Sequence, residues 1–292
     1  MKHKSSLTIA FAIAGLLFTV SSFGQIQIPI ASPAGSVSGD VGLTTVSVNY
    51  FRPGVKGRII FGEGGIVPFG SIWRTGANNG SKVTFSTDLK FGNQEVAAGD
   101  YLLFSVPGAE KWDVMLYSDL SIGGNTTGYD ETNEVAKISV KPETLDNSVE
   151  RLTFTLADVS SDNTMANLRL TWENTAVNMP ITVSFDEAIM NEIATKTKVN
   201  PGNYLAGARY YMETGKDLDQ ALEWVNMYLA VGENSKQFWN THLKAQILAA
   251  KGNSKEAIKV AEQSLAAAKA NAGGAFGYDK RNEELIATLK KK

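Results

Sequence analysis

The chain lacks cysteine altogether and has only two histidines among its 292 residues. Without cysteine it can form no disulfide, no thiolate nucleophile and no cysteine-ligated metal site. His3 lies in an N-terminal segment that we expect to be removed, so the mature chain keeps only His242. Sites that need several imidazole ligands are thereby excluded, and we predict neither a metal nor a cofactor. A Ser-His-acid triad would have to use His242, which we instead expect to lie on or between helices.

Long apolar runs are scarce as well. Leu7–Val20 is one such run, preceded by Lys2 and Lys4 and followed by the mostly small residues of Ser21–Gly24, which is the order of a secretory signal peptide. The run is shorter than the roughly 20 residues that span a bilayer. We predict a signal peptide over residues 1–24, cleaved near Gly24, and a mature protein that is periplasmic or secreted and has no membrane span. An uncleaved N-terminal anchor is the alternative.

A strong excess of either charge is also absent. Removal of residues 1–24 leaves 26 Lys and Arg against 30 Asp and Glu, a formal charge of −4. Nucleic-acid-binding proteins need a strongly basic face, so we expect no nucleic-acid partner. About 268 mature residues are enough for two domains of ordinary size, and without disulfides these must be stabilised by hydrophobic cores.

Residues 41–184 carry the pattern of short β-strands joined by tight turns, after an extended lead-in over residues 25–40 that prolines and glycines punctuate. No helical period interrupts the strands, so we predict an antiparallel β-sandwich or barrel. Its core is expected to include Leu102, Phe104, Val114 and Leu116. The strands are predicted at Val41–Tyr50, Lys82–Thr87, Asp100–Val106, Lys111–Tyr117, Ala136–Val140, Arg151–Ala157, Asn167–Trp172 and Ile181–Phe185.

From Ser184 onward the pattern becomes helical, so we predict a small all-α domain over residues 185–292. Ser184–Glu187 and Asp217–Gln220 have the spacing of capping boxes, which begin helices by satisfying free backbone N–H groups. Pro201 suits the first position of another helix. Further helices are expected at about Ser235–Lys251, Ser254–Ala270 and Asp279–Lys290.

Two of these helical pairs are similar to each other and resemble the tetratricopeptide repeat, with small residues where helices cross and a glycine in the turn. Two units are fewer than a free-standing array needs, so we expect them to pack on other parts of the chain or to offer a protein-docking surface. The matched positions are Ala208, Tyr211, Gly215 and Ala221 against Ala245, Leu248, Gly252 and Ala257. Large side chains for such a surface are Tyr204, Tyr210, Tyr211, Met212, Trp224, Met227, Tyr228, Phe238 and Trp239.

The glycine-rich stretch Phe51–Asp88 concentrates positive charge. Between Phe51 and Lys82 there are five Lys or Arg against one acid, whereas residues 83–180 have six against fifteen. Such an island is either a set of buried ion-pair partners or a site for an anionic ligand. In the first interpretation Arg58 and Arg74 pair with Asp88 or Asp100. In the second, the candidate ligand-binding residues are Arg52, Lys56, Arg58, Trp73, Arg74 and Asn78.

Catalysis by carboxylates is the enzymatic alternative, because the strand-rich region contains many acids but no spacing that singles out a pair. Asp130 and Glu131 beside Asn125 lack the regular pattern of a calcium loop, so we interpret them as a solvated turn. We therefore predict a non-enzymatic binding or scaffold protein of the cell envelope whose ligand is a glycan, a peptide or a small anion. A carboxylate-dependent hydrolase acting on carbohydrate is the alternative. Its candidate acids are Asp88, Asp100, Asp113, Asp119, Asp130 and Glu131.

A series of motifs resembles the bacterial family called domain of unknown function 2911, over roughly Ser32–Pro142. The resemblance implies an exported, β-rich protein, with Bacteroidetes as the expected source, and it implies no activity or catalytic residues. Glu63–Ile66 departs from the family pattern as an enlarged loop. The motifs are Tyr50–Pro53 (YFRP), Lys56–Arg58 (KGR), Ile60–Gly62 (IFG), Val67–Gly70 (VPFG), Trp73–Asn78 (WRTGAN) and Ala98–Phe104 (AGDYLLF).

Overall fold

The computed structural model describes residues 28–197, 200 and 202–291. The predicted signal peptide and the predicted helix start at Pro201 lie outside the described residues. The chain divides into two compact units, one that ends at Val183 and one that begins at Ser184. Within the described ranges, no helix combines the length and the apolar character needed to cross a membrane.

The first unit contains a six-stranded antiparallel sheet with the order β1-β2-β3-β6-β7-β8. Strand β1 lies in the segment that was predicted as a lead-in, and it pairs with β2 along its whole length. The six strands are β1 (Ala34–Val41), β2 (Thr44–Phe51), β3 (Ser81–Phe85), β6 (Gly99–Val106), β7 (Trp112–Tyr117) and β8 (Glu134–Val140).

A second antiparallel sheet has four strands in the order β5-β4-β10-β9. Strand β10 replaces two strands that were predicted separately. The chain passes Glu173 with a positive φ of 52° and a shift of register, and β10 then continues to pair. Pro180 does not break it, since this exposed residue lies near the strand end. The strands are β4 (Leu89–Phe91), β5 (Gln94–Val96), β9 (Glu143–Ala157) and β10 (Met165–Thr182).

The two sheets pack face to face around a common core. Tyr50 of β2 contacts Phe154 of β9 edge-to-face at 4.9 Å, and its hydroxyl accepts a hydrogen bond from the Phe154 backbone N–H at 3.2 Å. Val83, Leu103 and Leu116 are buried in the same unit. Two antiparallel sheets followed by helices confirm the predicted mixture of β and α structure, and because both sheets are open, the arrangement is a sandwich.

Strand β6 is buried on both faces, and this corrects the predicted core. Leu103 and Ser105 are paired with Leu116 and Val114, whereas Leu102 and Phe104 point the other way, toward Met115 and Tyr117. A second apolar cluster therefore lies on the outer face of the six-stranded sheet, beneath Ile122 and Tyr129 of the loop after β7. The continuous apolar run of β6 hides this division, because a strand buried on both faces does not alternate.

The side chain of Gln94 joins the edges of the two sheets. Its amide N–H donates to the Lys137 carbonyl, and its Oε1 accepts from the Lys137 backbone N–H at 3.2 Å. Gln94 belongs to β5 and Lys137 to β8, so one side-chain amide replaces a pair of backbone hydrogen bonds there.

Among its described residues, the second unit has six α-helices, which pack around two apolar clusters. Leu243 and Ile247 of the fourth helix belong to one cluster, and Ala245 and Leu248 of the same helix belong to the other. This helix is therefore buried on several sides and lies at the centre of the unit. The helices are α1 (Asp186–Lys196), α2 (Asn203–Thr214), α3 (Leu218–Leu229), α4 (Phe238–Ala250), α5 (Ser254–Ala270) and α6 (Tyr278–Lys290).

The two predicted capping boxes differ in outcome. Asp217 accepts hydrogen bonds from the N–H groups of Asp219 and Gln220 and so begins α3. The box at Ser184 is wrong, because Phe185 is the N-cap of α1 and makes no side-chain capping bond. The equivalent turns after α2 and α4 contain Gly215 and Gly252 in the left-handed conformation. The tetratricopeptide-like assignment stays a prediction.

Candidate functional site

The chain between β2 and β3 contacts both sheets. Gly54 bridges to Arg151 of β9, and Trp73 forms a bridge with Ser105 of β6 through two backbone hydrogen bonds of 2.7 and 2.9 Å. This connection, residues 52–80, contains the motifs Lys56–Arg58 and Trp73–Asn78 and the glycine-rich segment between them. Its position is thus fixed by the backbone of both sheets.

Four aromatic side chains anchor the connection. Phe61 lies 5.0 Å from Trp112 of β7 and 5.8 Å from Trp172 of β10, between ring centroids. Trp73 stacks on Trp172 with centroids 6.0 Å apart and ring planes inclined by 18°. The connection therefore inserts two rings between a tryptophan from each sheet, and this packing explains why Trp73 is only 8 % exposed.

A cleft of about 500 Å³, here called cleft A, opens beside this aromatic cluster. Trp73 and Trp172 both line it, and so do four of the other predicted site residues: Lys56, Arg58, Arg74 and Asn78. Arg52 does not line it. The structure thus brings together five of the six residues that the sequence singled out.

Cleft A is cationic. Lys56 and Arg58 are exposed, Arg74 is half-buried, and among the described residues that line the cleft none is Asp or Glu. Arg58 donates to the carbonyls of Gly54 at 2.6 Å and Val55 at 3.1 Å. These bonds orient the guanidinium without neutralising its charge.

The ion-pair interpretation of Arg58 and Arg74 is wrong. Asp100 pairs with Lys82 at 2.9 Å, and the hydrogen bond from Thr84, together with Lys82, lowers the pKa of Asp100 below its ordinary value. Asp88 instead accepts from the Ala98 backbone N–H at 2.8 Å. Arg74 donates to the Asn78 carbonyl at 2.8 Å, and within the described residues neither arginine forms a salt bridge.

Arg52 has a structural position. Its Nε donates to the Leu152 carbonyl at 3.3 Å and its Nη2 to the Thr153 hydroxyl at 3.1 Å, so it ties the end of β2 to β9. Gly35 of β1 packs against the same side chain, since a Cβ at that glycine would lie 2.7 Å from Arg52 Cδ. Arg52 therefore links the two sheets beside cleft A.

The turn that forms one wall of cleft A has a strained backbone. Thr75 and Asn78 have positive φ angles of 45° and 53°. Asn tolerates this region, but a β-branched threonine rarely adopts it. Thr75 is held there by its buried hydroxyl, 2.9 Å from the Ser105 hydroxyl, and by its carbonyl, which accepts from Ser81 at 2.6 Å. Such strain is typical of functional sites.

The indole N–H of Trp172 has no hydrogen-bond partner in the part of the chain that the structure describes, although the side chain is buried. By contrast, Trp73 donates to the Gly76 carbonyl at 3.1 Å. A buried donor without a partner costs about 1–3 kcal/mol. Sequence analysis assigned Trp172 to a strand and missed its place in the cleft, because nothing local distinguishes a core tryptophan from one that lines a site.

A second and larger cleft of about 880 Å³, cleft B, lies on the other side of Arg74 and Asn78, which line both clefts. The outer face of the six-stranded sheet contributes Asn49 and Lys82, and the loop after β7 contributes residues 120–127. Gly124 of this loop packs tightly on the turn, since a Cβ there would lie 2.8 Å from Arg74 Cδ. Again, no acid is among the described residues that line the cleft.

The acids of the enzymatic alternative have local structural contacts. Asp119 and Asp130 cap short 3₁₀ helices, and Asp113 lies 2.5 Å from the Ser139 hydroxyl. Among the described residues, no group of three His, Cys, Asp or Glu side chains is placed to hold a metal ion. No described Asp or Glu lines either large cleft, so neither shows the pair of facing carboxylates that a glycoside hydrolase needs.

His242 lies in a buried polar network of the helical unit. Asn282 donates to the Ser264 hydroxyl at 2.9 Å and to the Tyr278 carbonyl at 2.7 Å, so its Oδ1 is the acceptor for His242 Nδ1 at 2.8 Å. Burial lowers the pKa of His242 below its ordinary value, against the effect of the Asn282 hydrogen bond. The residue thus lies between helices.

The nine large side chains predicted for a docking surface are unequally exposed. Phe238 is buried, Met227 and Trp239 are exposed by 42 % and 37 %, and the other six are half-buried. Phe276, which was not predicted, is 68 % exposed and stacks on Phe238 with centroids 6.5 Å apart. Trp239 and Phe276 therefore flank the same buried ring.

Comparison with protein families matches residues 32–181 to the family described as "Protein of unknown function (DUF2911)". Neither the curated proteins nor the solved structures gave a match. The matched region covers the connection 52–80 and every residue that lines the two clefts except Ala31, so all the cationic residues of the site lie within it. The chain belongs to the DUF2911 family of proteins of unknown function.

Proposed function

We propose that the β-sandwich unit is a binding module that holds an anionic ligand in cleft A. The observation that carries this proposal is the gathering of Lys56, Arg58 and Arg74 around a cleft that no described acid lines. Guanidinium groups bind carboxylate, sulfate and phosphate groups through paired hydrogen bonds. Trp73 and Trp172, which also line the cleft, add a small apolar surface beside these cations.

The volume and position of the cleft support the same function. Ligand pockets typically measure about 300–1,000 Å³, a range that includes cleft A. The exposed cations at its entrance attract anions from solution, and their effect weakens as salt screens them. Glu150 accepts from the Lys56 backbone N–H at 3.1 Å and is the acid adjacent to this entrance, outside the lining.

Isothermal titration with sulfate, phosphate and galacturonate tests the proposal. We expect saturable binding of at least one of these anions that weakens with added salt. Arg58→Gln and Arg74→Gln should each weaken it roughly tenfold or more, since a hydrogen bond to a charged group contributes about 1.5–3 kcal/mol. Lys90→Gln is the matched control, because Lys90 is an exposed cation paired with Glu95 on the other sheet. Equal affinity in all variants would refute the proposal.

We also propose that the protein acts beyond the inner membrane, as the N-terminal sequence pattern predicts. Fractionation of cells followed by N-terminal sequencing tests this. Mature protein in the periplasm or medium that begins at Gln25 is the expected result, and full-length protein in the cytosol would contradict it.

The helical unit is proposed as a protein-docking surface, supported by the exposed side chains of Trp239 and Phe276 around Phe238. A photo-crosslinking residue at Trp239 should give a discrete adduct in cells, whereas the same residue at exposed Lys255 should not. Identical patterns at both positions would argue against a specific surface.

A further inference from the structure

We infer that clefts A and B together form the two subsites of a binding groove for an acidic oligosaccharide, with Arg74 between them. The inference rests on the proposed function of cleft A and extends it to a class of ligand. Its starting point is that Arg74 and Asn78 line both clefts. A ligand that passes over Arg74 would therefore occupy both.

Arg74, which lies between the two clefts, has N–H groups to spare for a ligand. The Arg74 guanidinium uses Nη1 on the Asn78 carbonyl, which leaves its remaining N–H groups for ligand atoms among the contacts that the structure describes. Gly124 packs against its methylene groups from the side of cleft B. The Arg74 side chain is thus held by one hydrogen bond and by its packing against Gly124. An arginine that is already ordered loses less entropy on binding.

The two clefts differ in chemistry. Cleft A has cations and an indole wall, whereas cleft B is rich in amide and hydroxyl groups. Amides and hydroxyls both donate and accept hydrogen bonds, as the hydroxyl groups of sugars require. The polar side chains of cleft B are Asn49, Asn78, Asn79, Ser121, Asn125 and Thr126, among others.

These features favour a saccharide over an acidic peptide. The dense amide and hydroxyl groups of cleft B match a ligand with many hydroxyls. An acidic peptide bound by the arginines alone would leave the amide groups of cleft B without partners, and other peptides are bound at an exposed strand edge or in an apolar groove. Cleft B lies on the face of the six-stranded sheet, since Asn49, Lys82 and Leu102 come from three neighbouring strands. Cleft B therefore presents the side chains of this sheet face to a ligand.

Titration with galacturonate and tetragalacturonate tests the inference. The tetramer should bind about tenfold or more tightly than the monomer, because occupation of the second cleft becomes intramolecular. Asn49→Ala with Asn79→Ala should remove this gain and leave the affinity for the monomer unchanged, whereas Arg74→Gln should weaken both ligands. The two asparagines are exposed and form no side-chain hydrogen bond within the described residues, so the double variant is expected to fold. Asn147→Ala, at an exposed position of β9, is the control.

The outcomes separate the two proposals. If galacturonate or sulfate binds in an Arg58-dependent way but the tetramer binds no more tightly, the groove is overturned and the function of cleft A stands. If a neutral tetrasaccharide binds as tightly as tetragalacturonate, or if tetraglutamate alone shows the gain with length, the assigned ligand class is wrong. If no anion binds, both proposals fall.

Discussion

At the scale of single residues, the three arginines of the connection 52–80 have different roles. Arg52 reaches across to β9, whereas Arg58 and Arg74 bond to nearby carbonyls and line cleft A. The sequence identified all three as a cationic group but could not separate them. The separation depends on which carbonyls the fold brings near each guanidinium, and Leu152 is 100 positions from Arg52.

Removal of the Arg52 side chain should affect stability more than binding. Arg52→Ala is expected to lower the free energy of unfolding of the β unit by about 1.5–3 kcal/mol, because two charge-assisted hydrogen bonds to β9 are lost. Urea unfolding followed by tryptophan fluorescence measures this. Arg58→Ala, which removes an exposed cation, should change the midpoint much less. A variant of Arg52 that loses anion affinity at full stability would contradict this assignment.

His242 should make the helical unit sensitive to acid. Its pKa in the folded state lies below the ordinary 6.5, so the unfolded chain takes up a proton more readily. The stabilising contribution of neutral His242 is therefore fully present above about pH 6.5 and is lost as the pH falls below that value. Arg281 and Arg209 act in the same direction by repelling the imidazolium.

Denaturant midpoints at about pH 7.5 and about pH 5.5, followed by circular dichroism at 222 nm, test this effect in the window where histidine titrates. The wild type should lose more stability between the two values than His242→Gln, which keeps a polar group but does not ionise. Equal losses would show that other groups cause the change.

At the scale of elements, sequence patterns predicted most strands and helices and failed where pairing is nonlocal. Helix α5 begins and ends where it was predicted, whereas β1, β4 and β5 were not predicted as strands. Strands of three residues, such as β4 and β5, are too short to show a period. The sequence of the loop after β7 predicts only turns, yet its residues Ile122 and Tyr129 pack on the second apolar cluster. This packing positions the wall of cleft B.

The contact between that loop and the Thr75–Gly80 turn should be sensitive to one methyl group. Gly124→Ala is expected to weaken anion binding, since the new Cβ would clash with the Asn78 carbonyl oxygen, which accepts from Arg74, and would lie 2.8 Å from Arg74 Cδ. Gly128→Ala in the same loop is the control, where the nearest atom is 3.4 Å away. Titration with the anion that binds the wild type measures the affinity of both variants. Unchanged affinity in Gly124→Ala would show that Arg74 is not held by this contact.

At the scale of the whole molecule, the change from strand to helix pattern near Ser184 coincides with the boundary between the two compact units. Each unit has apolar clusters of its own, such as Leu102 with Met115 in the first and Ala245 with Ile286 in the second. The clefts could not be located from sequence, because their walls combine segments that are far apart in the chain. Trp73 and Trp172 are one example.

Residues 28–183 should therefore fold alone. The fragment is expected to unfold cooperatively in urea and to keep the anion affinity of the full chain, because all residues that line clefts A and B lie within it. Circular dichroism and titration measure the two properties. A molten fragment that binds 8-anilinonaphthalene sulfonate would show that the helices complete its core.

The amide of Gln94 also bears on how neighbouring copies of the protein meet in a concentrated solution. Strand β8 is the last strand of its sheet, and the unpaired backbone of a last strand is a template for a strand from another molecule. At Lys137 the outward N–H and carbonyl are already occupied by Gln94, and the lysine side chain adds charge to the same edge. Sheet extension from copy to copy, the route to fibrillar aggregates, is therefore opposed at the middle of this edge by a single side chain.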